Sequence, residues 1–123
     1  MKALALLLLL VAPVAHCQLP ALPDSVPSAV GWVPVRRVAH PCGGDEGTLG
    51  CFRIAERVIE IRKDSLSRIQ EHVALEHERA HMNMFDAAVP LEHGMQEFMA
   101  RVISTARVRE MLATRLAPPR GTP

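Results

Sequence analysis

The segment that decides the fold runs from Asp64 to Ala88 and reads DSLSRIQEHVALEHERAHMNMFDAA. On a helical wheel of about 100° per residue, its apolar side chains gather on one side together with His77 and His81. The set within roughly 40° of His77 contains Leu66, Val73, His81, Met84 and Ala88, with Ile69 and Ala74 slightly outside. Asp64 or Ser65 can cap the first turn, and Pro90 ends or kinks the helix. The segment therefore predicts a long amphipathic helix.

This helix contains His77-Glu78-Arg79-Ala80-His81, which has the pattern H-E-x-x-H. Residues i and i+4 lie one above the other on a helix, so both imidazoles can bind one zinc ion. Glu78 lies about 100° round the wheel, where its carboxylate can reach a metal-bound water. Two imidazoles in an apolar stripe need polar partners. We therefore predict that His77 and His81 are metal ligands rather than hydrogen-bonded core residues.

Strands are predicted before this helix and a second helix after it. The stretch from Val30 to Val38 is β-branched but interrupted by Pro34, which indicates an edge strand. From Phe52 to Lys63 the residues alternate as in a strand. A second helix is predicted from about Met95 to Leu116, with an apolar stripe of Met95, Phe98, Val102, Ala106, Ala113 and Leu116, and Leu112 at its margin. The expected fold is α+β, with a short antiparallel sheet or hairpin packed on the long helix.

A catalytic zinc site takes three protein ligands and one water, and the sequence leaves the third ligand open. Our first choice is Glu92, which lies at the edge of the apolar stripe when the second helix is extended backwards. His93 comes next, and then Glu97, which lies far from that stripe. Asp86 is the least favoured, because it falls about 180° from His77 on the first helix.

The ends of the 123-residue chain are set aside before the fold is considered. Residues 1–17 have a positive start, a short apolar run and Pro13, which is typical of a signal peptide cleaved after Cys17. A lipid anchor on Cys17 and an uncleaved membrane anchor are the alternatives. Residues 18–29 predict a poorly ordered proline-rich arm, 30–116 the metal-binding domain, and 117–123 a disordered tail. We predict a secreted or periplasmic protein without stable membrane insertion.

Charge and cysteine content narrow the partners and the compartment. Removal of the leader takes away Lys2, one of 14 basic residues against 13 acidic ones, so the remaining charge is near zero. That balance gives no electrostatic case for binding nucleic acid or an anionic membrane. The remaining cysteines, Cys42 and Cys51, predict a disulfide that closes a glycine-rich loop in an oxidising compartment. A metal site built from both thiolates is disfavoured, because their spacing matches no common zinc knuckle.

The strand residues Ile59-Glu60-Ile61, followed by the H-E-x-x-H helix, resemble the zincin metallopeptidases. The resemblance implies that His77 and His81 bind Zn²⁺ and that Glu78 is the general base. It also implies that an edge strand, here from Phe52 to Lys63, binds an extended peptide substrate by β-augmentation.

Within that superfamily the metzincin branch expects a glycine and a third ligand at positions where this chain has Met84 and Ala87. The resemblance is therefore to the glutamate-ligand branch. Its third ligand comes from a following helix, which suits Glu92 or Glu97.

The predicted function is a small exported zinc metallopeptidase that hydrolyses a peptide or protein substrate. The alternative is a non-catalytic exported helical hairpin that binds a partner through its methionine-rich surface, with a structural metal or none. Homo-oligomerisation is left open, because a small domain with an apolar second helix can pair.

Overall fold

The structure is a computed structural model that describes residues 19–116. Within this part of the chain the elements are, in order, β1 (Ser25–Ser28), β2 (Gly31–Val38), a 3-10 turn (Pro41–Gly43), β3 (Gly50–Arg53), β4 (Val58–Arg62), α1 (Arg68–Asp86) and α2 (His93–Leu116). The predicted α+β class is confirmed. The predicted leader, residues 1–17, and the predicted tail, residues 117–123, lie outside the described residues.

The four strands form a mixed sheet in the order β1-β2-β4-β3. β1 and β3 are antiparallel to their neighbours, but β2 and β4 are parallel, so the sheet is mixed and contains the expected antiparallel hairpin only as β3 and β4. The stretch read as one strand from Phe52 to Lys63 is a hairpin, because the chain turns before Arg57, whose φ is 51°. The Arg57 guanidinium binds both carboxylate oxygens of Asp86 at 2.8 and 2.9 Å, which fixes the turn to the end of α1.

Strand β2 lies inside the sheet and not at its edge, which corrects the prediction drawn from Pro34. The Val35 N–H donates to the Asp24 carbonyl, so the alternation of the antiparallel ladder turns the Pro34 nitrogen away from β1. Pairing with β4 begins only at Val35. Neither β1 nor β4 therefore requires a hydrogen bond from the Pro34 nitrogen, and the proline is tolerated inside the sheet.

The arm predicted to be poorly ordered is ordered where the structure describes it. Leu19 is buried, and the His72 ring donates a hydrogen bond of 2.7 Å to the Pro20 carbonyl. Val26, on β1, belongs to the hydrophobic core. The sheet thus begins upstream of residue 30, since these contacts offset the cost of ordering the arm.

Helix α1 begins with a capping box and ends before Pro90. Ser67 accepts from the Gln70 N–H, and the Gln70 side chain accepts from the Ser67 N–H, so the cap lies beyond the predicted Asp64 or Ser65. One side of α1 packs on the sheet, where the core consists of Val26, Val33, Ile59, Ile61, Ala74, Leu75 and Met82.

Helix α2 covers a second side of α1, so α1 is buried around most of its circumference. His72 and Glu76 are buried although they lie outside the predicted apolar stripe, and Ile69, at the margin of that stripe, is exposed. Glu76 is held by Arg79, at 2.9 Å. A single apolar stripe was thus an incomplete description of a helix with two packing partners.

The buried face of α2 is the reverse of the predicted one. Ala100, Ser104 and Val108 are buried, whereas three members of the predicted stripe, Met95, Phe98 and Val102, are exposed. The two faces differ by about 180° on the wheel. Neither helix in the described part of the chain has the length and apolarity needed to cross a bilayer.

Candidate metal centre

The two histidines of the H-E-x-x-H segment lie one turn apart on α1 and face α2. Their Nε2 atoms are 3.2 Å apart, and the ring planes meet edge to face with centroids 4.8 Å apart. Burial lowers the pKa of His77, and His81 and Arg101 act in the same direction against the nearby Glu97 carboxylate. A neutral imidazole is the form that binds a metal.

Glu97 on α2 brings a carboxylate to both imidazoles. Its Oε2 lies 3.2 Å from His77 Nε2, and its Oε1 lies 2.8 Å from His81 Nε2. Within residues 19–116, His77, His81 and Glu97 are the group of His, Cys, Asp and Glu side chains whose ligand atoms are close enough to share one metal ion.

The spacing of these atoms fits a small tetrahedral ion. Ligand atoms held roughly 2.0–2.1 Å from one tetrahedral metal lie roughly 3.3 Å from each other. The two Nε2 atoms are 3.2 Å apart, close to that value, and the nearest Glu97 oxygens, Oε2 for His77 and Oε1 for His81, lie 3.2 and 2.8 Å from them. Two imidazoles and one carboxylate are also a ligand set that zinc accepts while keeping a fourth position for water. The group can therefore hold a metal ion.

The other candidates for the third ligand lie elsewhere. Glu92 precedes α2, is exposed and is not part of the ligand group. His93 begins α2 and lines the neighbouring cleft, again outside the group. The Asp86 carboxylate is bound to Arg57. The residue that joins the two histidines is thus Glu97, our third choice. This happens because the face of α2 that meets α1 is opposite to the predicted apolar stripe.

Glu78 has an environment different from that of the ligands. Its side chain lies against the edge strand β3, and its carboxylate accepts a hydrogen bond from the Phe52 backbone. Burial, reinforced by the charge of Glu97, raises the pKa of Glu78 to about 7, and the Phe52 hydrogen bond opposes this only in part. A carboxyl group poised near neutral pH can both accept and donate a proton under physiological conditions.

A cleft of about 940 Å³ opens beside Glu78, His81 and Glu97. Strand β3 and the cysteine loop form one wall, and the end of α1 with the start of α2 forms the other. Phe52 and Phe85 meet edge to face at 6.4 Å between ring centroids. The apolar side chains that line the cleft are Phe52, Ile54, Met84, Phe85 and Val89.

The predicted disulfide between Cys42 and Cys51 is present and forms part of the same wall. It joins the 3-10 turn to β3. The Glu60 carboxylate accepts hydrogen bonds from the Cys42 N–H at 2.9 Å and from Arg53 at 2.8 Å, which fixes the loop to β4 as well. The wall beside Glu78 is therefore held by a covalent bond and by a buried carboxylate.

No protein-family model, curated protein or solved structure matches this chain.

Proposed function

We propose that the protein is a small exported zinc-dependent peptidase. The main support for this proposal is that four neighbouring side chains have two different environments. His77, His81 and Glu97 place their donor atoms around one point, while Glu78 stays outside that set with a pKa raised to about 7. A purely structural zinc site closes its coordination with four protein ligands and does not need such a carboxyl group beside it.

In this proposal His77, His81 and Glu97 would hold the metal beside the cleft. A zinc ion held there would supply a coordinated water of lowered pKa and a Lewis acid for the scissile carbonyl group. Glu78 accepts the proton of the attacking water on a carboxylate oxygen and then donates it to the leaving amine. The Phe52 backbone holds the Glu78 carboxylate during both transfers.

The substrate binds as an extended peptide along the free edge of β3. The Arg62 N–H donates to the Leu49 carbonyl, so the alternation of the ladder turns the backbone groups of Gly50 and Phe52 away from β4. The Phe52 N–H is engaged by Glu78, which leaves the Gly50 N–H and both carbonyl groups for the peptide. Because β4 is paired on both sides, the peptide-binding edge within the predicted stretch Phe52 to Lys63 is reduced to β3. A cleft with apolar walls suits a peptide that carries apolar side chains.

Export is proposed from two features. The first is the signal-like sequence of residues 1–17, and the second is the Cys42–Cys51 disulfide, which persists in an oxidising compartment.

The test is zinc content and peptide hydrolysis of the purified protein and its variants. We expect one zinc per chain, and we expect Glu97→Gln or His77→Ala to weaken zinc binding by more than the roughly 10–100-fold loss caused by removing a second-shell partner. Glu92→Gln is the matched control and should bind zinc as the wild type does. Glu78→Ala should keep its zinc and lose about 10²–10⁴-fold in turnover.

A wild-type protein that binds no zinc would overturn the metal site. Stoichiometric zinc without hydrolysis of any peptide in a diverse library would overturn the enzymatic part alone.

A second function is favoured by one observation. Met95, Phe98 and Val102 form an exposed apolar face on α2. This face supports the alternative of a non-catalytic binding protein in which the metal is structural. That alternative predicts that Glu78→Ala leaves function intact, whereas Val102→Asp abolishes it.

A further inference from the structure

Gly50 is the point where strand β3 touches the Glu78 side chain. A Cβ placed on Gly50 would lie 3.1 Å from Glu78 Cγ, 3.1 Å from Ile61 Cδ1 and 3.4 Å from the Glu60 carbonyl oxygen. The backbone of Gly50 is not in the left-handed region, so any residue could adopt its conformation. The missing side chain, and not backbone freedom, is therefore what distinguishes glycine at this position.

We infer that Gly50 is a positioning residue for Glu78. By lacking a side chain, it lets Glu78 lie directly against β3, where the Phe52 backbone holds its carboxylate beside the metal ligands. This inference rests on the proposed function, since it concerns the placement of the proposed general base.

Strand β3 cannot easily retreat from an added methyl group. Gly50 is paired with Ile61 of β4, and the next residue, Cys51, is bonded to Cys42. Glu60 binds the Cys42 N–H from the neighbouring strand. Because the strand is held on this side, a methyl group added at Gly50 would displace the side chains of Glu78 and Ile61.

Displacement of Glu78 Cγ by a few tenths of an ångström would weaken the Phe52 hydrogen bond and move the carboxylate relative to the reacting water. A misplacement of about 1 Å can cost about 10²-fold in rate. For Gly50→Ala we therefore expect kcat to fall by about tenfold, with zinc affinity and KM within twofold of the wild type.

Gly94→Ala is the matched control, because a Cβ at Gly94 meets no heavy atom within 4 Å. It should leave kcat, KM and zinc affinity unchanged. The double variant Gly50→Ala with Ile61→Val removes the second contact of the added methyl group, the one with Ile61 Cδ1. If Gly50 acts through Glu78, this double variant regains thermal stability but not kcat.

Three results would overturn the inference. The first is a kcat of Gly50→Ala within twofold of the wild type, and the second is full recovery of kcat in the double variant with Ile61→Val. The third is an equal fall in residual hydrolysis when Gly50→Ala is added to Glu78→Gln, since a positioning residue has nothing to position in that background.

A measurement independent of catalysis separates this inference from the proposed function. In the zinc-loaded wild type, NMR should show a nuclear Overhauser effect between the Gly50 Hα protons and the Glu78 Hγ protons. If this contact is present but no peptide is hydrolysed, the proposed function fails and the contact remains. If peptides are hydrolysed but the contact is absent, the inference about Gly50 fails alone.

Discussion

Glu78 should make the metal-free protein less stable as the pH rises through neutrality, and Glu78→Gln should remove this effect. The carboxyl group is mostly withdrawn from solvent beside the Glu97 carboxylate, and its pKa is raised from 4.5 to about 7. Between these two pH values the unfolded chain has released the proton, whereas the folded chain retains it. Folding stability therefore falls as the pH rises across this window.

The size of the effect follows from the two pKa values. At about 1.4 kcal/mol per pH unit, the difference between 4.5 and about 7 corresponds to a loss of about 3 kcal/mol above pH 7. A glutamine has the shape of the protonated glutamate and can still accept the Phe52 hydrogen bond, but it does not ionise. Glu78→Gln should thus match the wild type below pH 4.5 and exceed its stability by about 3 kcal/mol at pH 8.

His77 titrates in the same region with the opposite sign. Its pKa is lowered in the folded protein, so the neutral ring adds stability as the pH rises through the ordinary value of 6.5. Both proteins carry His77, so the difference between the two stability curves isolates Glu78.

The assay is urea unfolding from pH 4 to 8 in the presence of a chelator, followed by circular dichroism. Trp32 is 73% exposed in the folded protein and would be a weak fluorescence reporter. Glu92→Gln, which removes an exposed carboxylate, is the control and should follow the wild type. Parallel curves for the wild type and Glu78→Gln over the whole range would refute the reasoning, because they would mean that Glu78 ionises equally well in both states.

Three further perturbations test the scaffold by chemical denaturation. Ser67→Ala removes the side-chain half of the capping box and should cost about 1 kcal/mol, with an unchanged m-value. Met82→Ala leaves a cavity between α1 and the sheet and should cost about 2–5 kcal/mol. The double variant Cys42→Ser with Cys51→Ser opens a short loop and should cost about 3 kcal/mol, and its intact mass should not change on reduction, unlike that of the wild type.

The local part of the site could be predicted from the sequence. The positions of His77 and His81 relative to each other depend only on helix geometry, and the existence of α1 follows from the helical spacing of its apolar residues. Helix geometry also predicts that Glu78, one residue after His77, lies at the side of the two imidazoles. These features need no knowledge of the rest of the fold.

The third member of the candidate ligand group could not be predicted in the same way, because it depends on which face of α2 meets α1. The more apolar side of α2, with Met95, Phe98 and Val102, was the natural choice for burial, yet the smaller residues Ala100 and Ser104 make the contact. Small side chains let two helices approach closely, and close approach is what brings Glu97 to the imidazoles. Hydrophobicity alone therefore selected the wrong face and, with it, ranked Glu92 above Glu97.

The prediction of the strand boundaries was wrong for a related reason. The turn that ends at Arg57 contains neither glycine nor proline, so its own residues do not predict a turn. The turn is held instead by contacts of Arg57 with Asp86 and with the Ser28 hydroxyl, both 29 residues away. Patterns of neighbouring residues in the sequence cannot predict contacts between residues so far apart along the chain.

A cleft in a domain of this size needs walls that do not depend on a second domain. One wall here consists of β3, which the Cys42–Cys51 bridge and the Glu60 carboxylate hold in place. The other consists of the two helices, whose relative position is fixed by close packing along α2. The proposed ligands and the proposed base thus all come from the helix wall, and Glu78 lies against β3 in the opposite wall. Preorganisation of this kind is what a catalytic site requires, and this chain obtains it with one disulfide and one helix pair.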